Sequence, residues 1–236
     1  MNVKKQKNRI KKVVFKEIPS TNDYAKAKRA EGRDLIVTAK RQTGGRGTKG
    51  RSFVSDDGGV YLTALHFYED FPAKRAFEIM ASAAVAVCKT IEAFGAKPVI
   101  KWANDIHVNG KKICGILMEN TFSGEKITSS VIGIGLNVCN VLPQALADIA
   151  TTLCQETGKR LSVRKVTKEL IKNLGTFYMV EEYLSYLGYM GRSVELVLSD
   201  ERVPATLLSV DLEGGLWVET DGEKKRFTSA EVSVIL

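Results

Sequence analysis

Apolar and polar positions along the chain fall into blocks whose period switches between two and nearly four. Residues 13–18 (Val-Val-Phe-Lys-Glu-Ile) read as a short strand that Pro19 ends. Polar Ser20, Thr21, Asn22 and Asp23 come next, ahead of a helical stretch over 24–31. Ser20 with Asp23 three residues on resembles a capping box. Gly32 stops that helix, and 35–40 returns to strand. Residues 59–67 carry many apolar positions, as a central strand does. Pro72 suits a first helical turn. Over 73–94, Phe77, Met80, Ala81, Ala84, Val85 and Cys88 keep helical spacing, which assigns that face to core packing.

Residues 98–108 form an apolar strand interrupted by Lys101-Trp102-Ala103-Asn104-Asp105. Asn109-Gly110 is a strong hairpin turn. In the return strand, 112–119, simple alternation puts Lys112, Cys114 and Ile116 on one face and Ile113 and Leu117 on the other. A lysine in so apolar a strand is costly to bury unless an anion meets it. Another strand spans 130–138; its Gly133 and Gly135 share a face that a ligand or backbone can approach closely, and Asn137 ends its apolar run. Helical stretches follow over about 144–157 and 163–187. Past Gly188 the pattern changes to five short strand segments (193–198, 203–210, 216–219, 226–228 and 232–236) with glycine turns between them, which predicts a small barrel.

Candidate chemistry concentrates in Arg41-Gln42-Thr43-Gly44-Gly45-Arg46-Gly47-Thr48-Lys49-Gly50-Arg51, where four glycines and four cations share eleven residues. Glycines let a loop wrap a ligand and aim N–H groups at it, and the cations favour an anion. Gly45, Gly47 and Gly50 match the dinucleotide fingerprint in spacing, but turn residues follow where that fingerprint needs a helix. No Gly-Lys-Ser/Thr closes the loop, so the P-loop reading fails as well. A basic glycine loop suited to a phosphate or a carboxylate remains.

Composition changes the picture only in part. Among 236 residues, 44% hydrophobic and 26% charged content is that of a globular protein, and no apolar run approaches a membrane span. A cytoplasmic location is expected. The net charge of +8 suggests nucleic acid, yet residues 1–16 hold seven cations and no acid, which leaves the body close to neutral. Cys88, Cys114, Cys139 and Cys154 form no C-x-x-C pair and are expected as buried free thiols. His66 and His107 are the only histidines, which disfavours a His-based metal site or a Ser/His/Asp triad.

Taken in order, Ser20-Thr21-Asn22, Gly45-Arg46-Gly47-Thr48-Lys49-Gly50-Arg51, Lys101-Trp102-Ala103-Asn104-Asp105, Lys112-Ile113-Cys114-Gly115-Ile116-Leu117-Met118-Glu119 and Gly133-Ile134-Gly135-Leu136-Asn137 closely resemble the motifs of the biotin–protein ligases over nearly the whole chain. The resemblance implies an α+β fold. A mixed-sheet catalytic domain with helices packed on it would span 1–188, with a basic arm at 1–12, and a small SH3-like β-barrel domain would span 189–236. It implies that biotin and ATP form biotinyl-5'-AMP and pyrophosphate, and that biotin then moves to a lysine of a biotin carboxyl carrier domain. On this resemblance Ser20, Thr21 and Asn22 hold the ureido ring. Gln42, Arg46, Gly47 and Thr48 fold over biotin and its adenylate, and Lys112 meets the carboxylate and the α-phosphate. Gly115 lets biotin lie against its strand. Arg51, Phe53, Lys101, Asn104 and Asn137 fall at the nucleotide, with Phe53 against adenine. Asp105 is placed as a proton acceptor and as a ligand of the Mg²⁺ that accompanies ATP.

Three departures stand out. Thr48 takes the place of the family's second arginine in Arg-Gly-Arg, with Lys49 adjacent as the one cation able to compensate. Ala103 stands for the family's proline. Only about twelve residues precede the first strand, so the winged helix of the repressor-ligases is not expected, nor is specific DNA binding. A membrane partner is not expected either, and the sequence leaves a homodimer open.

Overall fold

The computed structural model describes residues 10–198 and 201–235. Lys4, Lys5, Lys7 and Arg9 of the basic arm lie outside the described residues. A seven-stranded mixed sheet carries most of the chain. Its strands are β1 (Lys11–Ile18), β2 (Leu35–Gln42), β3 (Val60–Pro72), β4 (Val99–Lys101), β5 (Asp105–Val108), β6 (Lys111–Ser123) and β7 (Lys126–Leu136). Their order is β1-β2-β3-β7-β6-β5-β4, with β1 and β2 parallel and every other pair antiparallel.

Alternation along the strands divides the sheet between two layers. Helix α1 (Thr21–Ala27) covers one face, where Ala25 packs with Leu35, Val37, Leu65 and Val131. Helix α2 (Ala76–Ala93) lies on the other with α4 (Val163–Asn173) and α5 (Val180–Ser185), over a core that includes Ile36, Leu62, Ala64, Ile116 and Ile132. The apolar stripe predicted for α2 is there, with Ala81, Ala84, Val85 and Cys88 fully buried.

Helix ends differ from expectation where local contacts compete. A 3-10 turn, Ala73–Arg75, precedes α2, because β3 runs on to Pro72. The single helix expected over 163–187 is two. Between them the chain turns at Gly175, and the Tyr178 N–H donates to Ser82 Oγ of α2 at 3.0 Å. The helix expected over 144–157 shrinks to a 3-10 turn at Gln144–Leu146 and to α3 (Leu153–Thr157). Residues 149–151 instead run beside β6, where the Thr151 N–H donates to the Lys112 carbonyl and the Lys112 N–H to the Ile149 carbonyl.

All five expected C-terminal strands form: β8 (Ser193–Leu198), β9 (Glu201–Val210), β10 (Leu216–Thr220), β11 (Glu223–Phe227) and β12 (Val232–Ile235). They make an SH3-like antiparallel sheet in the order β11-β10-β9-β8-β12, and no ladder joins β11 to β12 among the described residues. Trp102 links the two sheets by donating its Nε1–H to the Gly214 carbonyl at 3.0 Å. The Trp102–Ala103 peptide is cis. No helix of the described residues is long and apolar enough to cross a membrane.

The cysteines correct one expectation. Cys139 and Cys154 are paired as a disulfide, with Cα atoms 5.3 Å apart, so only Cys88 and Cys114 are free, buried thiols. Spacing of fifteen residues hid the pairing. It arises because the Leu153 and Cys154 N–H groups dock on the carbonyls of Asn137 and Val138, which brings α3 up to the end of β7.

Candidate active site

Register builds the floor of the site. In the β6–β7 ladder Gly115 lies directly opposite Gly135, and Leu117 opposite Gly133. These positions share the face that α1 covers, so a bare strip of backbone crosses two central strands. It is not an open strip. A Cβ on Gly133 would run into the Asn22 side-chain amide, and one on Gly135 would come within 2.5 Å of the Phe53 ring. Gly115 faces the same ring and the end of the Lys112 side chain.

Lys112 reaches that face through an irregularity. Ile106 pairs with Cys114 but His107 pairs with Lys112, so β6 carries one extra residue there. Such a bulge re-aims the side chains on one side of it. Lys112 therefore lies beside Gly115, and the face shared with Cys114 and Ile116 that simple alternation assigned to it is corrected. Its Nζ meets Asp105 Oδ1 at 2.7 Å, both side chains being about a quarter to a third exposed.

A hydrogen-bonded chain positions the polar end. Ser20 caps α1 by accepting the Asp23 N–H at 3.2 Å. Thr21 donates its N–H and its hydroxyl to Gln42 Oε1 at 2.8 and 2.9 Å, and Gln42 Nε2 donates to Ser55 Oγ at 3.1 Å. From the floor, the fully buried Thr63 lies 2.8 Å from the Thr21 hydroxyl and donates to Asn22 Oδ1 at 2.6 Å. Thr63 was missed in the sequence, although a threonine set between Leu62 and Ala64 in the apolar run 60–65 was a signal. Asp23 was read only as a cap residue, yet its carboxylate holds Arg46 at 3.0 Å. Glu119, also missed, pairs with Lys26 at 2.6 Å and meets Asn22 Nδ2 at 3.5 Å.

The glycine loop closes over these groups. An Arg46–Ser52 bridge and the Gly47 N–H, which donates to the Arg51 carbonyl at 2.6 Å, tie its two limbs together. Thr48 faces the enclosed space and accepts from the Arg51 guanidinium at 3.3 Å. Ser20, Thr21, Asn22, Gln42, Arg46, Gly47, Thr48, Phe53, Asn104, Asp105, Lys112 and Gly115 all line one cavity.

A wider cleft opens beyond it, between the two sheets, and Lys101 and Arg51 line that cleft. Thr48, Asn104 and Asp105 belong to both spaces, so they stand at the junction. Asn104 is fixed there by donating its Nδ2–H to the Ile116 carbonyl at 2.6 Å. Burial pushes the Lys101 ammonium below its ordinary pKa, with Asp105 opposing and Lys112 and Arg51 adding to the shift.

Two of the residues that the resemblance assigns to the nucleotide lie apart from Lys101 and Arg51. Asn137 lines neither space; it donates to the Thr151 carbonyl and accepts from Asn140, which fastens the end of β7. Phe53 lines the glycine-floored cavity and not the wider cleft. Among the described residues no group of three or more His, Cys, Asp or Glu side chains is placed to hold a metal ion.

A family profile, the biotin/lipoate A/B protein ligase family, matches residues 14–137, which is more than half of the chain. The chain belongs to that family. Within it, the bifunctional ligase/repressor BirA of Bacillus subtilis is 33% identical over 215 residues, covering 84% of this chain. The chain spans 66% of that relative's length. A solved biotin protein ligase from Aquifex aeolicus, in complex with biotin and ATP, superposes with a TM-score of 0.74 at 25% identity, over 95% of this chain and 98% of its own. A biotin protein ligase from Leishmania major in complex with biotinyl-5-AMP gives a TM-score of 0.62 at 25% identity, over 93% and 98%.

Proposed function

We propose that the chain is a biotin–protein ligase, a biotin–[acetyl-CoA-carboxylase] ligase in type. Residues 1–188 would be its catalytic domain and 189–236 its SH3-like domain. The observation that carries this reading is the single cavity in which Thr21, Asn22, Gln42, Arg46, Lys112 and Gly115 converge from four separate segments: α1, the end of β2, the glycine loop and β6. In the first step the biotin carboxylate attacks the α-phosphorus of ATP. Biotinyl-5'-AMP forms and pyrophosphate leaves. Two anions must approach each other, so cations fixed in advance lower the barrier. Lys112 stands at the meeting point, and Arg46 adds charge from the loop. Thr21, Asn22 and Gln42 offer donors and acceptors to the ureido ring, with Ser20 holding the start of α1 beneath them.

The wider cleft, with Arg51 and Lys101, suits the nucleotide. Mg²⁺ comes with ATP and offsets phosphate charge. Asp105 and the free Oδ1 of Asn104 are oxygen donors at the junction, a small set that fits an ion keeping most of its ligands as water and phosphate oxygen. In the second step the amine of a carrier-domain lysine attacks the acyl carbon and AMP leaves. Asp105 takes the proton that the amine must lose. Phe53, Gly47 and Thr48 keep water from the mixed anhydride.

The test is biotin-dependent ATP–pyrophosphate exchange, followed by transfer to a biotin carboxyl carrier domain. Biotin is expected to support exchange, and lipoate, the ligand of the other branch, is not. Exchange with lipoate and none with biotin would overturn the assignment.

A further inference from the structure

Lys49 sits at the tip of the glycine loop with left-handed backbone (φ 55°), a conformation that L side chains rarely adopt. That twist turns its side chain out of the glycine-floored cavity and across the wider cleft. Its ammonium donates to the Val232 carbonyl at 3.1 Å and to Ser233 Oγ at 2.9 Å, both in β12. The loop's other cations stay with the large sheet: Arg41 with Glu17 and Asp56, Arg46 with Asp23, and Arg51 with Thr48. The Lys49 partners are neutral, which is the pattern of an anchor, not of a cation held by a nearby carboxylate. Val232 is buried and β12 is laddered to β8, so the acceptors are firmly placed.

We infer that Lys49 is a positioning residue that fastens the glycine loop to the C-terminal sheet, making that sheet part of the closure over the bound intermediate. Unfastened, the loop would still carry Arg46 and Thr48, but its four glycines would leave those side chains free to swing away. The inference rests on the ligase reading for what the loop covers. The contact itself is independent of that reading.

The experiment uses the full chain with Lys49→Met, which keeps the aliphatic stem, and Ser233→Ala, which keeps every charge. Two quantities are read: release of biotinyl-5'-AMP in a chase, and tryptic cleavage after Arg46 and Arg51 without ligand. Lys49→Met is expected to speed release about tenfold and cleavage about fivefold, and Ser233→Ala to speed both about two- to threefold, with unchanged melting temperatures. A Lys49→Cys, Ser233→Cys pair, once joined by a short bifunctional maleimide that spans the length of the lysine side chain, is expected to bring release back to the wild-type rate or below. Lys49→Met within twofold of wild type in both readouts would overturn the inference. So would a large effect of Lys49→Met with none of Ser233→Ala and no rescue by the cross-link, because the lost charge alone would then account for it. If the wild type forms no adenylate, the ligase reading fails, and ligand-free cleavage still decides whether the anchor exists.

Discussion

Lys112 Nζ lies 2.7 Å from Asp105 Oδ1, across the β5–β6 hairpin and at the junction of the two cavities. The pair keeps a partly buried ammonium matched with a carboxylate before any substrate arrives. An incoming biotin carboxylate would share that ammonium. Asp105 would then be less tightly held by the ammonium and better able to accept the proton assigned to it under the proposed mechanism.

Lys112→Ala is expected to keep the fold and lose most of the pyrophosphate exchange. The loss should be on the order of 2–4 kcal/mol in the barrier, as for one electrostatic stabiliser. Removing the lysine also leaves Asp105 facing two further anions. Exchange rates in a folded variant check this, and rates close to wild type would remove Lys112 from the mechanism.

Thr63→Val keeps shape and removes one hydroxyl from the buried chain that links Asn22, Thr21 and Gln42. Asn22 Oδ1 then lacks its donor, which costs about 1–3 kcal/mol when such a group stays buried. Biotin affinity, measured by calorimetry, should fall by that amount, and Thr63→Ser should restore it. Equal affinity in Thr63→Val and wild type would show that the floor does not orient Asn22.

Thr48 offers the cavity a neutral hydroxyl where arginine would offer charge, and Lys49, turned toward β12, does not replace it. Thr48→Arg is therefore expected to slow adenylate release by roughly 1–2 kcal/mol, the gain of a charged hydrogen bond over a weaker one. A chase experiment on wild type and variant measures it. Unchanged release in Thr48→Arg would mean that no anion lies within reach of position 48.

His107 gives the protein a pH dependence of defined sign. Burial, with Lys101 next in effect, pulls its pKa down to about 4, and its Nδ1 lies 3.2 Å from the Tyr189 hydroxyl. The unfolded chain binds a proton near 6.5 and the folded chain near 4, so stability is complete above about pH 6.5 and declines as pH falls toward 4. The loss is on the order of 3 kcal/mol. Melting scans across that window should fall more steeply for wild type than for His107→Gln, and parallel curves would refute the assignment.

Much of the site was legible in residue order because its chemistry is local. The cap at Ser20, the glycine loop, the Asn109-Gly110 turn and the small residues at 115, 133 and 135 each follow from what one side chain lets its own backbone do. Strand and helix identities followed from apolar period, for the same reason. Helix ends at 144–157 and 174–179 were less legible, since packing against β6 and α2 there outweighs local preference.

The sequence alone thus determined which groups this protein owns: a basic loop, a lysine in an apolar strand, a polar helix start and a strip of glycines. Only the tertiary structure decided how they meet. It set Gly115 opposite Gly135, turned Lys112 onto their face through one extra residue in β6, and sent Lys49 across the cleft to β12. It also paired Cys139 with Cys154 and took Asn137 out of the cavities. Register, bulges and contacts between sheets depend on chain segments from a few to nearly two hundred residues apart, and periodicity along one segment carries no information about its partner.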